Sequence, residues 1–254
     1  MKKIISFVIV IFILTIFLLP VRAEGVAPDA TELLEKMDTV LRGKSHHMTV
    51  AFDVKTASWE RKYKLDVWMR GLDDAFARIL EPAKSEGQGF LRNKTRLWNY
   101  MPTAERTMLI PTSLMMDKFL GSDYSNDDFV KLSYLPRDYD AKIVGEEIVD
   151  GQNTYHLELT PKPDAPVTYG KLEIWLRGDG GPVRTHFFNE KLDHIRTLSY
   201  SDYKKYGDHD LPSVWTMENL REKDRVTTLT VIEAEFDIPV ADVLFSKENL
   251  EKYP

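Results

Sequence analysis

The sequence predicts a mainly β domain with a few helices, of the α+β class, built from about ten or eleven antiparallel strands. Apolar residues alternate with polar or small residues in two series of short segments, which are separated by Gly, Asp, Asn and Pro turn signals. Neither series has a helical pattern between consecutive segments, which is typical of an antiparallel meander and not of a parallel sheet. Helical spacing is confined to the start, the middle and the end of the chain.

The N-terminus has the three-part layout of a secretory signal peptide. Lys2 and Lys3 precede an apolar run over residues 4–19, and Ala23 stands before the expected cleavage site. This run is shorter than the roughly 20 residues that a helix needs to span a bilayer. We therefore expect a cleavable signal at residues 1–23, with a retained N-terminal anchor as the alternative.

The remaining residues, 24–254, are expected to form a single domain. They carry 31 basic and 40 acidic side chains, a net charge of −9. This balance argues against nucleic acid, which proteins hold mainly with basic side chains, and against adsorption to anionic membranes by charge alone. Because the chain has no Cys, disulfides, thiol catalysis and Cys-based metal sites are excluded.

A helix is expected to open this domain. Asp29 or Thr31 can cap its start, and Gly43 ends it. Its apolar residues at helical spacing are Leu33, Leu34, Met37, Val40 and Leu41. One apolar stripe on one helix indicates that the helix packs on a sheet.

Strands are expected on both sides of a helical insertion. The first series comprises residues 48–54, 63–69, 76–80, 89–92, 97–101 and 107–111. The second series comprises residues 141–147, 154–160, 170–176, 183–189, 194–204, 211–219 and 226–235, and a short helix at 246–252 follows it. The Asp150-Gly151 pair in the second series is a strong hairpin signal.

The helical insertion is predicted in two parts. Residues 112–120 have the composition of a short helix that Gly121 ends. A second short helix is expected to begin at Ser125 or Asn126. Two aspartates stand in its first turn, where the helix dipole favours acidic side chains.

The sequence has no motif that points to catalysis or to a metal site. None of its six histidines stands in H-E-x-x-H spacing, and no G-x-S-x-G is present. The stretch from Asp123 to Asp127 begins like a calcium loop, but Tyr134 stands where the bidentate Glu is needed. We therefore predict a protein that is not an enzyme and that uses no metal and no cofactor. An envelope hydrolase on a β scaffold is an alternative, which a cluster of His and carboxylates in a cavity would favour.

Apolar residues on both faces of two predicted strands suggest a second hydrophobic surface beside the main core. The helical insertion carries adjacent methionines, which suit surfaces that adapt to variable ligands. The candidate cavity and lid residues are Trp98, Tyr100, Met108, Ile110, Leu114, Met115, Met116, Phe119, Leu120 and Phe129. The same residues would also serve as ordinary core beneath a helical insertion, and the pattern leaves both interpretations open.

Three stretches of the chain resemble the outer-membrane lipoprotein-sorting protein family of the LolA-like superfamily. They are residues 89–102, which include the W-x-Y-x-P pattern from Trp98, residues 106–111, and residues 121–129, which read G-S-D-Y-S-N-D-D-F. The order of signal peptide, helix, meander, helical insertion and second meander also matches along nearly the whole chain. The resemblance implies a curved, unclosed antiparallel sheet, a half-barrel, whose concave face is covered by helices.

The resemblance also implies a function in outer-membrane biogenesis. It implies a monomeric periplasmic carrier that binds the acyl chains of a lipoprotein or lipid between sheet and helices. It implies an inner-membrane exporter of the resistance-nodulation-division type as the partner, and residues 112–129 are our candidate for a lid. One alternative is a periplasmic sensor that binds lipid or polypeptide and regulates a membrane protein. Another is a closed lipocalin-like barrel.

Overall fold

A computed structural model describes residues 28–131 and 135–252 of the chain. The predicted signal peptide and its cleavage site after Ala23 lie outside the described residues.

Thirteen strands form one antiparallel sheet within the described residues, two or three more than the sequence led us to expect. Each of the thirteen segments named from the sequence forms a separate strand. The first six are β1 (Ser45–Lys55), β2 (Glu60–Arg70), β3 (Asp74–Glu81), β4 (Gly89–Asn93), β5 (Arg96–Met101) and β6 (Arg106–Leu109). The other seven are β7 (Tyr139–Val149), β8 (Gln152–Pro161), β9 (Lys171–Leu176), β10 (Pro182–Phe188), β11 (His194–Tyr206), β12 (His209–Asn219) and β13 (Val226–Phe236).

The two meanders join in the middle of the sheet. The spatial order is β6-β5-β4-β3-β2-β1-β13-β12-β11-β10-β9-β8-β7, so the first and last strands pair with each other and β6 and β7 are the two edges. In the central pair Phe52 stands opposite Leu229, and Val50 stands opposite Val231. These apolar pairs at the junction fix the register, since a one-residue slip would turn them to the other face. The edges do not pair with each other among the described strands, so the sheet is unclosed.

The first predicted helix is present as α1 (Ala30–Arg42). The Asp29 side chain accepts hydrogen bonds from the backbone N–H groups of Thr31 and Glu32 at its start. Gly43 ends the helix with φ 58°, a conformation that glycine adopts without strain. The shorter helices are α2 (Asn126–Lys131), α3 (Leu135–Asp138) and α4 (Lys247–Lys252).

The predicted helix at 112–120 is wrong. Two single 3₁₀ turns, Thr112–Leu114 and Phe119–Gly121, stand there instead. The start of α2 competes for the carbonyl groups that an α-helix would need. The N–H of Asn126 donates to the carbonyl of Asp117, and the N–H of Asp127 donates to that of Met115.

The sheet has an apolar cluster on each face. We call the inner face the one that carries Val50, Leu65 and Ala77, since α1 packs into the same cluster through Leu33 and Leu34. The outer face carries a smaller cluster of Phe76, Leu91 and Trp98, on which Phe245 and Leu250 of the C-terminal segment pack. Successive side chains of a strand point to opposite faces, so the clusters are separated by the sheet itself.

Candidate ligand cavity

A cavity of about 220 Å³ lies between the inner face of the sheet, α1 and the mid-chain segment, which we define as residues 112–131. The walls include Met37 and Leu41 from α1, Val50, Leu65 and Phe187 from the sheet, and Phe119 and Phe129 from the mid-chain segment. A cavity needs at least roughly 10–15 Å³ to hold one water molecule, so this cavity is far larger than an ordinary packing void.

Strand alternation and helical periodicity together build these walls. In β1, Met48, Val50 and Phe52 face inward, and the neighbouring β2 adds Leu65 and Val67 from the facing register. In α1 the spacing between Met37 and Leu41 is one helical turn, which puts both side chains on the face toward the sheet.

His46 is a polar residue in the wall that carries no charge at neutral pH. Its side chain is almost completely buried, and burial lowers the pKa of the ring to about 4. The Nδ1 atom lies 3.0 Å from the carbonyl oxygen of Arg42. Because a carbonyl oxygen only accepts, Nδ1 carries the proton of the neutral ring. The guanidinium of Arg42, also in the wall, forms an ion pair with Asp38 one turn earlier on α1.

Asp128 brings a negative charge to the wall, but the fold compensates it. Its Oδ2 accepts from the backbone N–H of Ser125 at 2.8 Å and from Nη1 of Arg196 at 2.8 Å. Its Oδ1 accepts from the hydroxyl of Tyr169. The Ser125 hydroxyl in turn accepts from the N–H of Asp128 at 3.1 Å, which makes a reciprocal cap at the start of α2.

A second buried aspartate, Asp123, ties the mid-chain segment to β13 and to the residue that precedes it. Asp123 accepts from Nε of Arg225 at 2.6 Å and from the hydroxyl of Thr227 at 2.7 Å. Arg196 also donates to the backbone carbonyl of Asp123. The stretch of residues 121–129 is therefore an anchor that fastens the cavity wall to β11 and β13.

Tyr124 stands between these two aspartates, in a hairpin of the mid-chain segment. A β-bridge pairs Lys118 with Ser125, and the N–H of Phe119 donates to the carbonyl of Tyr124 at 2.8 Å. The centre of the Tyr124 ring lies 6.0 Å from the centre of the Phe52 ring, and both residues line the cavity.

Comparisons with known proteins give consistent relatives for this fold. A family model that is described only as an uncharacterized-protein-like family matches residues 71–252, more than two thirds of the chain. No curated protein matches the sequence.

Three solved structures are similar over most of the chain. A DUF1329 family protein from Desulfovibrio piger has TM-score 0.80 and 22% identity, with 87% of this chain and 97% of that chain covered. A putative outer membrane lipoprotein-sorting protein domain from Vibrio parahaemolyticus has TM-score 0.77 and 20% identity, with 88% and 98% covered. A LolA superfamily protein from Nitrosomonas europaea has TM-score 0.74 and 23% identity, with 88% and 100% covered.

The chain belongs to the family that the matching model describes, and it has the fold of the LolA superfamily protein and of the outer membrane lipoprotein-sorting protein domain. The resemblance read from the sequence is thereby confirmed at the level of the fold. At these identities the solved structures establish the fold alone.

Two of the candidate residues predicted from the sequence line the cavity. They are Phe119 and Phe129, whose rings stack at 5.2 Å with an angle of 9° between their planes. Ile110, Met115 and Leu120 pack against the inner apolar cluster without reaching the cavity wall.

Three further candidates are exposed. Met108, Leu114 and Met116 have 38%, 45% and 54% of their surface accessible to solvent. Met108 lies in the edge strand β6, and Leu114 and Met116 lie in the mid-chain segment.

Trp98 and Tyr100 lie on the opposite side of the sheet from the cavity, contrary to the placement expected from the sequence. Both belong to the outer cluster with Phe245 and Leu250, and Lys247 of α4 lies 4.8 Å from the ring centre of Trp98. The apolar residues on both faces of β5 therefore reflect packing against two different sets of helices.

Most of the cavity wall consists of residues that were not among the candidates. Their signal was present in the sequence as the alternation of residues 48–54 and as the apolar stripe of α1. The pattern identifies which residues share a face, but it does not show which face encloses a cavity.

Within the described ranges no helix is long and apolar enough to cross a membrane. In the same ranges no group of three or more His, Asp or Glu is arranged to hold a metal ion. His156, which the sequence places beside Glu158 on one strand, stacks on Trp175 at 4.3 Å on the outer face.

Proposed function

We propose that this LolA-like protein is a periplasmic carrier that binds an acyl chain of a lipoprotein or lipid in the inner cavity. The observation that carries the proposal is the cavity itself, which is almost entirely apolar and lies between the sheet, α1 and the mid-chain segment. On this proposal the sheet is a half-barrel, its inner face is concave, and α1 and the mid-chain segment cover that face. The protein binds its cargo without chemical change and is therefore not an enzyme.

The chemistry of the wall suits an acyl chain. Transfer of each methylene from water to the cavity contributes about 0.8 kcal/mol, so one long chain supplies enough binding energy without a charged contact. The charges in the wall have partners within the protein, since Asp128 pairs with Arg196 and Arg42 pairs with Asp38. Two similar structures carry the names lipoprotein-sorting protein domain and LolA superfamily protein, which agrees with this class of cargo.

The direct test is native mass spectrometry of the protein purified from a periplasm without detergent. We expect an adduct whose extracted component is an acylated lipid or lipopeptide. A variant with Val67→Trp fills the cavity, since Val67 is part of its wall, and should lose the adduct. The matched control is Val144→Trp on the exposed edge strand β7, which should retain it. A protein that carries no adduct and takes up no offered lipid or lipopeptide would contradict the carrier function.

We further propose that cleavage after Ala23 releases residues 24–254 as a single, monomeric domain. N-terminal sequencing of the periplasmic protein tests the cleavage site, and sedimentation tests the monomer. An N-terminus at Met1, or a membrane-bound product, would contradict this part of the proposal.

The proposed partner is an inner-membrane exporter of the resistance-nodulation-division type. The support is the family resemblance together with four exposed apolar side chains in β6 and the mid-chain segment, which we take as the contact surface: Met108, Leu109, Leu114 and Met116. A photo-crosslinking residue at position 116 should capture such an exporter in cells. The same residue at Ile148, which is exposed on the other edge of the sheet, serves as the control. Equal yields at the two positions would argue against this surface.

A further inference from the structure

Three hairpin turns lie side by side at one end of the sheet. They join β1 to β2, β12 to β13 and β10 to β11, and their six strands are consecutive neighbours in the sheet. Lys55 at the end of β1 stands opposite Val226 at the start of β13. Arg196 near the start of β11 stands opposite Asn219 at the end of β12. Neighbouring strands are about 4.8 Å apart, so the three turns lie within roughly 25 Å of one another.

Two of these turns carry the most exposed leucines of the described residues. Leu192 and Leu220 have 57% and 52% of their surface accessible to solvent. The N–H of Leu220 donates to the carbonyl of Ile195 at 3.0 Å, which places it beside the strand that follows the turn of Leu192. Leu192 has φ 62°, a backbone conformation that a leucine rarely adopts. Exposed leucines on adjacent turns, one of them in an unfavourable conformation, indicate a surface that another molecule covers.

Trp59 continues this apolar edge on the β1–β2 turn. The residue is half-buried, and the guanidinium carbon of Arg61 lies 4.4 Å from the centre of its ring. The guanidinium carbon of Arg225 lies 5.8 Å from the same ring. Tryptophan is enriched at membrane–water interfaces, because its ring is apolar and its N–H is polar.

The charge of the three turns is opposite in sign to the net charge of −9 on residues 24–254. With their flanking positions they carry seven basic and five acidic side chains; they are residues 55–62, 189–193 and 220–225. The connections at the other end of the same six strands carry two basic and five acidic side chains; they are residues 43–44, 71–73, 177–181, 207–208 and 237–242. Each exposed leucine also has an exposed basic neighbour in sequence, Lys191 beside Leu192 and Arg221 beside Leu220. Basic side chains of this kind are attracted to anionic phospholipids.

This end of the sheet is bonded directly to the cavity wall. Arg225, the last residue of the β12–β13 turn, donates to the carboxylate of Asp123 and to the backbone carbonyls of Gly121 and Ser122. These residues begin the anchor of the mid-chain segment. A surface that meets the three turns therefore lies next to the segment that covers the cavity.

We propose that Trp59, Lys191, Leu192, Leu220 and Arg221 form a docking surface for an anionic phospholipid bilayer. The leucines enter the apolar boundary of the headgroup layer, and the two basic side chains lie at the level of the phosphates. A bilayer suits apolar residues on separate turns, since it presents the same chemistry at every point, whereas a protein partner needs a matched pocket for each leucine. The inference goes beyond the carrier function, because docking does not require an occupied cavity.

The test is co-sedimentation of the protein, purified from the periplasm, with vesicles of phosphatidylglycerol and phosphatidylethanolamine. Vesicles of phosphatidylcholine alone are compared in parallel. We expect tighter binding to the anionic vesicles and a loss of part of this binding at high salt. Leu192→Ser combined with Leu220→Ser should weaken binding to the anionic vesicles by about 10-fold or more, since two leucines no longer leave water. Lys191→Gln combined with Arg221→Gln should lower the preference for the anionic vesicles by about 10-fold.

The matched control is Leu72→Ser combined with Val243→Ser. These residues have 39% and 64% of their surface exposed. Leu72 lies in the β2–β3 turn at the other end of the sheet, and Val243 follows Asp242, which pairs with Arg70 at the end of β2. The control should bind both kinds of vesicle as the wild type does.

The outcomes separate docking from cargo binding. Val67→Trp fills the cavity and should leave vesicle binding unchanged. If Val67→Trp weakens vesicle binding as much as the leucine variant does, lipid enters the cavity instead and the docking surface is overturned. Equal losses in the leucine variant and its control, or a wild type that sediments with neither kind of vesicle, would also overturn it. A bound acyl adduct in that last case would leave the carrier function standing, and docking without any adduct would leave only the docking surface.

Discussion

Arg78 and Arg92 lie on neighbouring strands, are both completely buried, and each donates to the last carbonyl groups of a short helix. Arg78 on the outer face reaches the carbonyl of Leu250 in α4 at 3.0 Å and that of Gly87 at 2.6 Å. Arg92 on the inner face reaches the carbonyl of Val130 in α2 at 2.8 Å. The final carbonyls of a helix have no partner within it, and a guanidinium satisfies them and favours the negative end of the helix dipole.

Because the two arginines have the same role on opposite faces, substituting either one should cost the same stability, but the two substitutions should affect ligand binding differently. Arg78→Met and Arg92→Met should each lower the free energy of unfolding by about 2–3 kcal/mol, because each removes charge-assisted hydrogen bonds from buried carbonyls. Only Arg92→Met should also weaken ligand binding, since α2 carries part of the cavity wall. Urea denaturation and displacement of a bound fluorescent probe measure the two effects. Equal binding loss in both variants would contradict the separation of the two faces.

The matched control for both variants is Arg184→Met. Arg184 pairs with Asp150 in an exposed ion pair at 2.8 Å. Pairs of this kind contribute roughly 0–1 kcal/mol, so this variant should stay near the wild-type stability.

Removal of the Tyr124 hydroxyl should not destabilise the protein. Because the group is buried without a partner, Tyr124→Phe removes a polar atom from an apolar site and should leave the stability equal or raise it by about 1 kcal/mol. Tyr206→Phe breaks the hydrogen bond to the carbonyl of Val231 and should lower the stability by about 1 kcal/mol. Thermal unfolding of the ligand-free variants measures both. A clear loss of stability in Tyr124→Phe would indicate that the hydroxyl has a partner in solution.

The strands could be predicted from the sequence because the alternation of side chains between the two faces of a strand is a local property of the chain. Each of the thirteen segments named from the sequence forms a strand of the sheet, although the expected total was only ten or eleven. The α1 helix was predictable for the same reason, since its cap at Asp29 and its end at Gly43 are adjacent to it in sequence.

The sequence did not show which face of the sheet a set of side chains would occupy. The partners of Trp98 on the outer face, Phe245 and Leu250, lie in the C-terminal segment far along the chain. Alternation shows that Trp98 and Tyr100 share a face, but it does not show which helix covers that face. Likewise, the roles of Asp123 and Asp128 depend on Arg225 and Arg196, which only the folded chain brings near them.

His46 should make the stability sensitive to acid. Its pKa is about 4 in the folded protein against an ordinary value of 6.5, because burial disfavours the charged ring. Between these two values the unfolded chain binds a proton that the folded chain does not bind. The free energy of unfolding should therefore fall as the pH drops from about 6.5 to 4, by up to about 3 kcal/mol from this residue.

The measurement for His46 is urea denaturation from pH 8 to pH 4. His46→Gln should show a shallower decline than the wild type, after both curves are normalised at pH 8. The carboxylates contribute equally to both proteins, so parallel curves would show that His46 does not titrate in this window.

The 3₁₀ turn at Thr112–Leu114 should control the access of ligand to the cavity. The side-chain amide of Asn126 donates to the carbonyl of Leu114 at 2.9 Å and so ties this exposed turn to the start of α2. Asn126→Ala removes that tie and should cost about 1 kcal/mol of stability, while the anchor at Asp123 and Asp128 stays intact. Ligand release should become several-fold faster because the turn opens more often.

Stopped-flow transfer of a bound fluorescent probe to acceptor vesicles measures the rate, and Asn93→Ala at the exposed end of β4 is the matched control. A release rate that equals the wild-type rate would show that the mid-chain segment stays closed during exchange, and the entry path would then lie elsewhere along the cavity wall.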